Sequence, residues 1–434
     1  MKLYFLKPLL FHASIYIFCM NAVFVSAQSW QDVGQTNEYS IYPNSNIATD
    51  GQELFISINN DEIDGKVSVM HYDGMDTWNM VGDSNVASGT PYNSQILSVM
   101  NGAPYVVTTD SLERVIVMTY DGTNWVLVGQ PLSIGAGNHP SLTTDNNALY
   151  VGYYDVANDG VTVKQFDDTN WTTLGTTGFT LGETDYVSLS VENGVPYIAT
   201  QESETLSILS FDGVNWNYLG QGLSNQLASN IHIATDNGMI YVSFEDQDNQ
   251  CRLTVITYEN GIWSTLDMNS FPFVPGVYSS LTVYDGIPYV SFRELNGALS
   301  VVGYIDNTWN YIGQSEFSLG VVTHSDITFF GNAPHVVYRD VDNSNAIQVK
   351  KIDAELSILE TENASVSIYP NPSSSLIILE SKEPMIRIQI SDSRGRVMIT
   401  TTESSIDISQ WETGIYLAEI LTERGKHTKR IIKQ

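Results

Sequence analysis

Cysteine is scarce in this 434-residue chain, which contains only Cys19 and Cys251. Cys19 lies in the amino-terminal apolar segment, so a single cysteine is left for the rest of the chain. An intramolecular disulfide and a metal or redox site built on paired cysteines are therefore excluded. Cys251 is interpreted as a small apolar residue in or near a strand, and the fold must be stabilised by its core alone.

Positively charged residues are also few, with 19 Lys and Arg against 49 Asp and Glu, a net charge of −30. The deficit is concentrated in residues 28–359, which hold 8 basic and 39 acidic residues, a charge of −31. Such a domain is expected to repel nucleic acids and sulfated or uronic polysaccharides, because polyanion binding depends on many basic side chains. The permitted partners are neutral glycans, cations and basic protein surfaces. Alternatively, the charge only keeps an exported surface soluble.

Long apolar runs are absent except at the amino terminus, where two lysines precede an apolar stretch that ends near the small residues of VSAQS. This pattern predicts a secretory signal peptide, residues 1–27, cleaved after Ala27. A membrane anchor is the alternative, but His12, Ser14 and Asn21 interrupt the stretch. Since no other segment approaches the roughly 18 apolar residues that span a bilayer, we expect no membrane span in the mature chain.

Tryptophan recurs at a nearly constant interval, which indicates an internal repeat. Seven tryptophans are separated by 48, 47, 46, 45, 47 and 46 residues, at Trp30, Trp78, Trp125, Trp171, Trp216, Trp263 and Trp309. Each one after the first closes a turn, as in YDGTNWVLVG from Tyr120 to Gly129, and two further apolar runs precede that hairpin. Short apolar runs around Gly-containing turns are typical of β-hairpins. Each period therefore contains four short strands.

Four antiparallel strands per period are the content of one β-propeller blade. The first two strands occur seven times, whereas the complete tryptophan hairpin occurs only six times. The last third strand, Ala346 to Asp353, has no fourth strand after it, and SWQDVG at residues 29–34 is a fourth strand with nothing before it. We therefore predict an all-β fold, a seven-bladed β-propeller over residues 28–355 closed by its N-terminal strand, which removes two exposed sheet edges.

The tryptophan hairpin carries a further resemblance. YDGTNW is similar to the Asp-box turn of sialidase-type propellers, although Asp and Gly are adjacent here. That turn lies on the outer edge of a blade, away from the axis, so the resemblance implies structure and no sialidase activity. The paired motifs of WD40 and kelch blades are missing.

The composition changes after Asp353, where the tryptophan repeat stops and basic residues return. Alternating apolar strands and turns predict a small β-sandwich over residues 367–434, after a linker at 356–366. The segments SIYPNPSSS, SDSRGR, TGIYLAEI and KRIIKQ resemble, in order, the blocks of the C-terminal sorting domain of the type IX secretion system of Bacteroidota. The matching positions include Tyr369, Pro370, Asn371, Pro372, Gly395, Gly414, Tyr416 and Lys433.

The resemblance implies that the type IX secretion machinery is a partner of the chain. It also implies passage through the periplasm, followed by release or display at the outer cell surface. The alternative is an ordinary β-sandwich accessory module.

Acidic residues recur at the turns between the second and third strands of the predicted blades. The equivalent positions are Asn60, Asp110, Asp155, Glu202, Asp246, Glu294 and Asp340. Carboxylates at turns accept local backbone N–H bonds, so a structural cap is the first interpretation. Three turns place oxygen ligands at alternate positions, as Ca²⁺ requires, which makes Ca²⁺ binding a second hypothesis for Asp155, Asp159, Asp246, Asp248, Asp340 and Asp342.

Another set of equivalent positions lies two residues before the polar start of each first strand: Asn44, Ser94, His139, Tyr186, Asn230, Tyr278 and His324. In a propeller these positions face the mouth of the central channel, where rings and amides bind a neutral glycan, peptide or protein ligand. We predict ligand binding by His139, Tyr186, Asn230, Tyr278 and His324.

The main interpretation is a secreted or surface-displayed binding or scaffold protein. The alternative is an enzyme, a glycoside hydrolase or a polysaccharide lyase, in which a mouth histidine and a mouth tyrosine act as base and acid. A lyase also needs a positive group to neutralise a uronate, which the charge of −31 disfavours.

Overall fold

The structure, a computed structural model, describes residues 29–40, 45–60, 66–87, 96–224, 226–247, 250–266, 277–352, 366–381, 384–392, 396–422 and 425–433. The described residues form 35 β-strands and contain no α-helix. Within this part of the chain, no helix is long and apolar enough to cross a membrane. The chain divides into two compact units, Met1–Ala354 and Glu355–Gln434.

The strands of the first unit share a length of two to nine residues. In chain order they are β1 (Gln31–Asp32), β2 (Ser45–Thr49), β3 (Leu54–Asn60), β4 (Lys66–Tyr72), β5 (Trp78–Met80), β6 (Leu97–Met100), β7 (Ala103–Thr109), β8 (Val115–Tyr120), β9 (Trp125–Leu127), β10 (Gly137–Asp145), β11 (Ala148–Asp155), β12 (Gly160–Phe166), β13 (Trp171–Thr173), β14 (Val187–Glu192), β15 (Val195–Glu202), β16 (Thr205–Phe211), β17 (Trp216–Gly220), β18 (Ala228–Asp236), β19 (Met239–Asp246), β20 (Arg252–Glu259), β21 (Ile262–Thr265), β22 (Ser280–Tyr284), β23 (Ile287–Arg293), β24 (Leu299–Ile305), β25 (Thr308–Tyr311), β26 (Val322–Phe330), β27 (Ala333–Asp340) and β28 (Ala346–Lys351).

These strands form seven antiparallel four-stranded sheets. Six sheets are consecutive runs, from β2-β3-β4-β5 to β22-β23-β24-β25, and the seventh has the order β26-β27-β28-β1. The first strand of each run contacts the first strand of the next, from β2 through β6, β10, β14, β18, β22 and β26 back to β2. A ring of sheets around an axis is a β-propeller, so the predicted fold is confirmed and its seven sheets agree with the predicted blades.

Except in the sixth sheet, the second strand is the most buried of the four, because neighbouring sheets cover both of its faces. In β11, seven of the eight residues are buried. One apolar cluster joins Ile56 and Ile58 of β3 to Val337 of β27 and Val349 of β28. The cores therefore lie between sheets, and each sheet depends on its neighbours.

The N-terminal half repeat completes the seventh sheet. Gln31 and Asp32 pair with Lys351 and Lys350 in antiparallel register, and the amide of Val33 donates to the carbonyl of Val349 at 2.9 Å. The first described residues therefore close the ring, as the sequence predicts.

The tryptophan repeat links each sheet to the one before it. Every indole Nε1–H donates to a backbone carbonyl of the preceding sheet, at 2.6 to 3.3 Å. The pairs are Trp30 with Ile312, Trp78 with Val33, Trp125 with Val81, Trp171 with Val128, Trp216 with Leu174, Trp263 with Leu219 and Trp309 with Leu266. The seven bonds run once around the ring, which explains why one tryptophan occurs in every period.

The second unit is a two-sheet sandwich, as predicted. Its strands are β29 (Val366–Tyr369), β30 (Leu376–Ser381), β31 (Met385–Asp392), β32 (Val397–Thr401), β33 (Ser405–Asp407), β34 (Gly414–Thr422) and β35 (Gly425–Lys433). The sheets have the orders β29-β30-β33 and β32-β31-β34-β35. A single apolar cluster contains Ile377 and Leu379 of the first sheet and Ile388, Ile390 and Ile431 of the second.

The finer domain boundaries stay predictions. The signal peptide at residues 1–27 lies outside the described residues, and so does the linker at 356–366 except for Val366, which begins β29.

Candidate functional site

The first strands of the seven sheets surround a polar cavity of about 520 Å³. Most of the residues that line it are serine, threonine and asparagine or small aliphatic residues of β2, β14, β18, β22 and β26. Hydroxyl and amide groups offer donors and acceptors to a polar ligand. We call the end of this cavity where the first strands begin the mouth.

Four of the five predicted ligand-binding residues line this cavity, namely Tyr186, Asn230, Tyr278 and His324. The fifth, His139, is not part of its lining, and its Nε2 lies 3.6 Å from Asp185 Oδ1. Burial lowers the pKa of His139, although Asp185 and Glu183 act in the opposite direction. Asn44 and Ser94, the equivalent positions of the first two sheets, lie outside the described residues.

The backbone at the mouth has a repeated local conformation. His139, Asn230, Tyr278 and His324 have φ values of 51°, 49°, 60° and 53°. Three of these positions fall within β-bulges of β10, β18 and β26, where the register with the second strand shifts. A bulge with a left-handed residue redirects a side chain at the end of a strand. The side chains of His139, Asn230 and His324 therefore depart from the regular alternation of the sheet.

One corner of the mouth combines aromatic and cationic groups. The Tyr278 and His324 rings are 4.6 Å apart, and the Arg293 guanidinium lies 4.8 Å from the centre of the Tyr278 ring. Arg339 Nε donates to the hydroxyl of Thr323 at 2.7 Å, and Thr323 directly precedes His324 in the chain. Burial, helped by Arg339 and Arg293, lowers the pKa of His324 to about 4, so this imidazole is neutral at pH 7.

The part of the mouth formed by the fourth and fifth sheets is acidic. Glu245 lines the cavity and accepts a bond from Ser229 Oγ at 2.9 Å. Burial raises the pKa of Tyr186, and Asp185 and Glu245 add to that rise. Asn230 Nδ2 donates to Ser279 Oγ at 2.7 Å across to the next sheet. The mouth is therefore electrostatically uneven, with Glu245 on the fifth sheet and guanidinium groups on the adjacent sixth sheet and on the seventh.

Sequence reasoning missed a deeper polar ring, formed by the polar residue directly before the central apolar residues of the first strands. Described members are Asn46, Ser141, Ser188, His232, Ser280 and Asp326. In four cases the side chain accepts a backbone N–H bond from the next sheet, between 3.0 and 3.3 Å, from Ile47, Ile96, Leu189 and Ile233. The signal was present, because a polar residue occupies this position in six of the seven repeats, the second having Ile96.

Asp326 is the charged member of this ring. Its carboxylate accepts bonds from Ser280 Oγ at 2.6 Å, Ile47 N at 3.0 Å and Ile327 N at 2.9 Å. Burial lowers the pKa of His232, opposed by Asp326 and by a hydrogen bond with the Ser279 backbone. These groups join adjacent sheets below the mouth.

The acidic turns hold local partners, as a cap does. Asp155 accepts from Ala157 N at 3.2 Å and Asn158 Nδ2 at 2.8 Å, while Asp159 accepts from the Tyr154 hydroxyl at 2.8 Å. The remaining carboxylates include Asp340, which accepts from Asn343 N at 3.2 Å, and Asp342, which accepts from Val321 N at 3.0 Å.

Calcium binding at these turns stays a prediction. No group of three or more His, Cys, Asp or Glu side chains suited to a metal occurs within the described part of the chain. Asp246 lies opposite Arg252 in the antiparallel register of β19 and β20. Asp248 lies outside the described residues. Native mass spectrometry and melting with a chelator test this hypothesis: absence of bound metal and an unchanged melting temperature contradict it.

In the second unit, the structure brings the first and last motif segments together. Asn371 Oδ1 accepts the amide of Ile432 at 2.8 Å, and the amide of Ser373 donates to the carbonyl of Ile432 at 2.9 Å. Lys433 is buried.

The other motif positions lie along the same sandwich. Tyr369 contacts Glu380 at 3.2 Å, Gly414 begins β34, and Tyr416 packs on Trp411 at 4.8 Å. Pro370 and Pro372 belong to the segment that contains Asn371, and Gly395 lies outside the described residues.

Residues 367–434 match the family model of the secretion system C-terminal sorting domain. No curated protein matches the chain in sequence. Similar solved structures include a fucose-specific lectin from Aleuria aurantia, with 16% identity over 63% of this chain and 96% of that chain and a TM-score of 0.43. The SapL1 lectin in complex with alpha methyl fucoside has 13% identity over 64% and 97%, with a TM-score of 0.46.

A third similar structure, YjhT, has 12% identity over 61% of this chain and 100% of that chain, with a TM-score of 0.39. At these scores, the likenesses bear neither on the ligand nor on the activity of this chain. The sorting domain at residues 367–434 indicates that the chain is exported by the type IX secretion system to the cell surface or the extracellular space.

Proposed function

We propose that this chain is an exported binding protein that holds a glycan, peptide or protein segment at the mouth of its propeller channel. The observation that supports this proposal most directly is that one polar cavity is lined by Tyr186, Asn230, Tyr278 and His324. Aromatic faces stack on apolar faces of a ligand, while the amide and imidazole groups accept and donate hydrogen bonds. The sorting tail supports an origin in Bacteroidota and a partner outside the cell.

Binding is favoured over catalysis by the protonation state of the mouth histidine. Tyr278 and His324 are adjacent, with rings 4.6 Å apart, as the lyase hypothesis requires. However, a general base works best when its pKa lies near the working pH, and the pKa of His324 is lowered to about 4. A neutral, weakly basic imidazole suits a hydrogen-bonding role.

A glycan array and a peptide array, probed with one purified sample, test the proposal. We expect retention of a ligand without product formation, and a Tyr186→Ala and Tyr278→Ala double variant should lose that retention. Tyr72→Ala is the matched control, because this tyrosine packs against Trp78 on the opposite face of the ring. Turnover of a bound polymer favours the enzyme, and equal binding by the double variant contradicts a site at the mouth.

A further inference from the structure

Basic residues of the propeller are gathered at one face. Five of the eight lie where a second strand ends or a third strand begins: Lys66, Arg114, Arg252, Arg293 and Arg339. This is also the face on which the first strands begin, and therefore the face of the mouth. The acidic turns between the second and third strands lie on the same face, so the mouth carries charges of both signs.

Two of these arginines flank the mouth between the sixth and seventh sheets. Arg293 ends β23 and stacks on the Tyr278 ring at 4.8 Å. Both Arg293 and Arg339 lie close enough to act electrostatically on His324. In the described part of the chain Arg293 forms no ion pair, and the neighbouring carboxylate of Glu294 accepts the Tyr311 hydroxyl at 2.9 Å.

We propose that this corner, formed by Tyr278, Arg293, His324 and Arg339, binds a carboxylate group of the ligand. The inference rests on the proposed binding function and narrows its ligand class to a uronic-acid sugar or a peptide with a free C-terminal carboxylate. Guanidinium groups favour carboxylates strongly, and the Tyr278 ring supplies an apolar face beside them.

The acidity of the whole domain does not prevent this. Exposed charges are largely screened beyond about 8 Å at physiological salt, so the groups nearest the ligand decide the sign of the interaction. Of the acidic residues that face the same cavity, Asp326 is held by backbone amides and Ser280, and Glu245, in the adjacent fifth sheet, accepts from Ser229. A polyanion is still repelled, whereas a single carboxylate is accommodated.

The test is an NMR titration of the purified chain with paired acidic and neutral probes. Glucuronate is compared with glucose, and acetyl-diglycine with its C-terminal amide. We expect the acidic member of one pair to bind at least about tenfold more tightly than its neutral counterpart. Binding of the acid should also raise the pKa of His324, because a nearby anion stabilises the imidazolium. The pair that shows the preference identifies the source of the carboxylate.

Arg293→Gln should weaken binding of the acidic probe at least about tenfold while leaving the melting temperature near that of the wild type. Lys66→Gln is the matched control, since it removes one positive charge from the same face in the first sheet. Equal affinity for acid and amide or sugar, or equal losses in the two variants, overturns the inference. Neutral ligands bound at the mouth without that preference leave the proposed function standing. Absence of binding to every probe and to both arrays counts against both.

Discussion

Gly129 follows a tryptophan-bearing strand because a side chain there would occupy the position of the next tryptophan. Its φ is +68°, and a Cβ atom would lie 2.9 Å from Trp171 Cδ1. Trp171 in turn donates to the carbonyl of Val128 at 2.8 Å. The glycine after one tryptophan strand therefore lies against the tryptophan of the next sheet.

Gly129→Ala should destabilise the propeller by about 2 to 4 kcal/mol, from backbone strain of about 1 kcal/mol together with overpacking against Trp171. Gly182→Ala is the control, because its φ is +75° but no atom lies within 4 Å of its Cβ position. That variant should lose only about 1 kcal/mol. Chemical unfolding measures both changes, and equal losses would show that the contact with Trp171 contributes nothing.

His324 should make the propeller less stable at acidic pH. Its pKa is about 4 in the folded chain, mainly through burial, against an ordinary value of 6.5. Between pH 6.5 and 4 the unfolded chain binds the proton and the folded chain does not, so the free energy of unfolding falls as the pH falls through this window.

Because burial also lowers the pKa of His139 and His232, the wild type is compared with His324→Gln. The unfolding free energy of the wild type minus that of the variant should decrease as the pH falls from 6.5 to 4. A difference that stays constant over this range would contradict the assignment.

At the residue scale, the sequence predicts the mouth positions but not their contacts. Their equivalent positions in the repeat were sufficient to predict that Tyr186, Asn230, Tyr278 and His324 lie at the mouth. Their pairing depends on bulges at the starts of strands, which no residue pattern specified, and His139 faces Asp185 instead. Arg293 and Arg339 were missed because they lie in different sheets, and only the packing of those sheets brings both close to His324.

At the scale of elements, the N-terminal segment connects three sheets with few residues. Trp30 stacks on Phe317 at 4.3 Å and donates to Ile312 at 3.0 Å, while Val33 accepts from Trp78 at 2.6 Å. Both Trp30 and Val33 are buried. The segment therefore closes the ring through side chains as well as through the pairing of β1 with β28.

Deleting residues 29–35 should lower the unfolding free energy of the propeller by at least about 3 kcal/mol, since it removes a buried tryptophan and exposes β28 as a sheet edge. Size-exclusion chromatography should also show association through that edge. Deleting residues 428–434 is the control of equal length, because it changes the sorting domain alone. A monodisperse deletion variant with an unchanged unfolding midpoint would contradict closure by this segment.

At the scale of the whole molecule, the two units have different compositions and different tasks. Residues 28–359 carry a charge of −31, whereas the sorting domain has nearly balanced charge. In that domain Ile431 is fully buried and the amide of Ile432 binds Asn371. The last residues thus complete the fold of the sorting domain.

Truncation after Arg430 should leave the protein in the periplasm of its host, because it removes a core residue and the contact between the first and last motif segments. Cell fractionation with an antibody to the propeller measures this. Glu403→Gln, a substitution at an exposed position of the same domain, serves as the control and should be exported normally. Surface display of the truncated chain would contradict a role of this end in export.

The sequence by itself determined the number of strands in the propeller, the four strands of each repeat, the ring closure and the identity of the sorting domain. It did so because these properties follow from local periodicity, from the counting of repeats and from ordered motifs. Only the tertiary structure decided which side chains meet at the mouth, where the tryptophan bonds go and how charge is distributed over the faces. Many of those contacts join residues about 45 positions apart in consecutive sheets, and these sheets must pack together before such residues become neighbours.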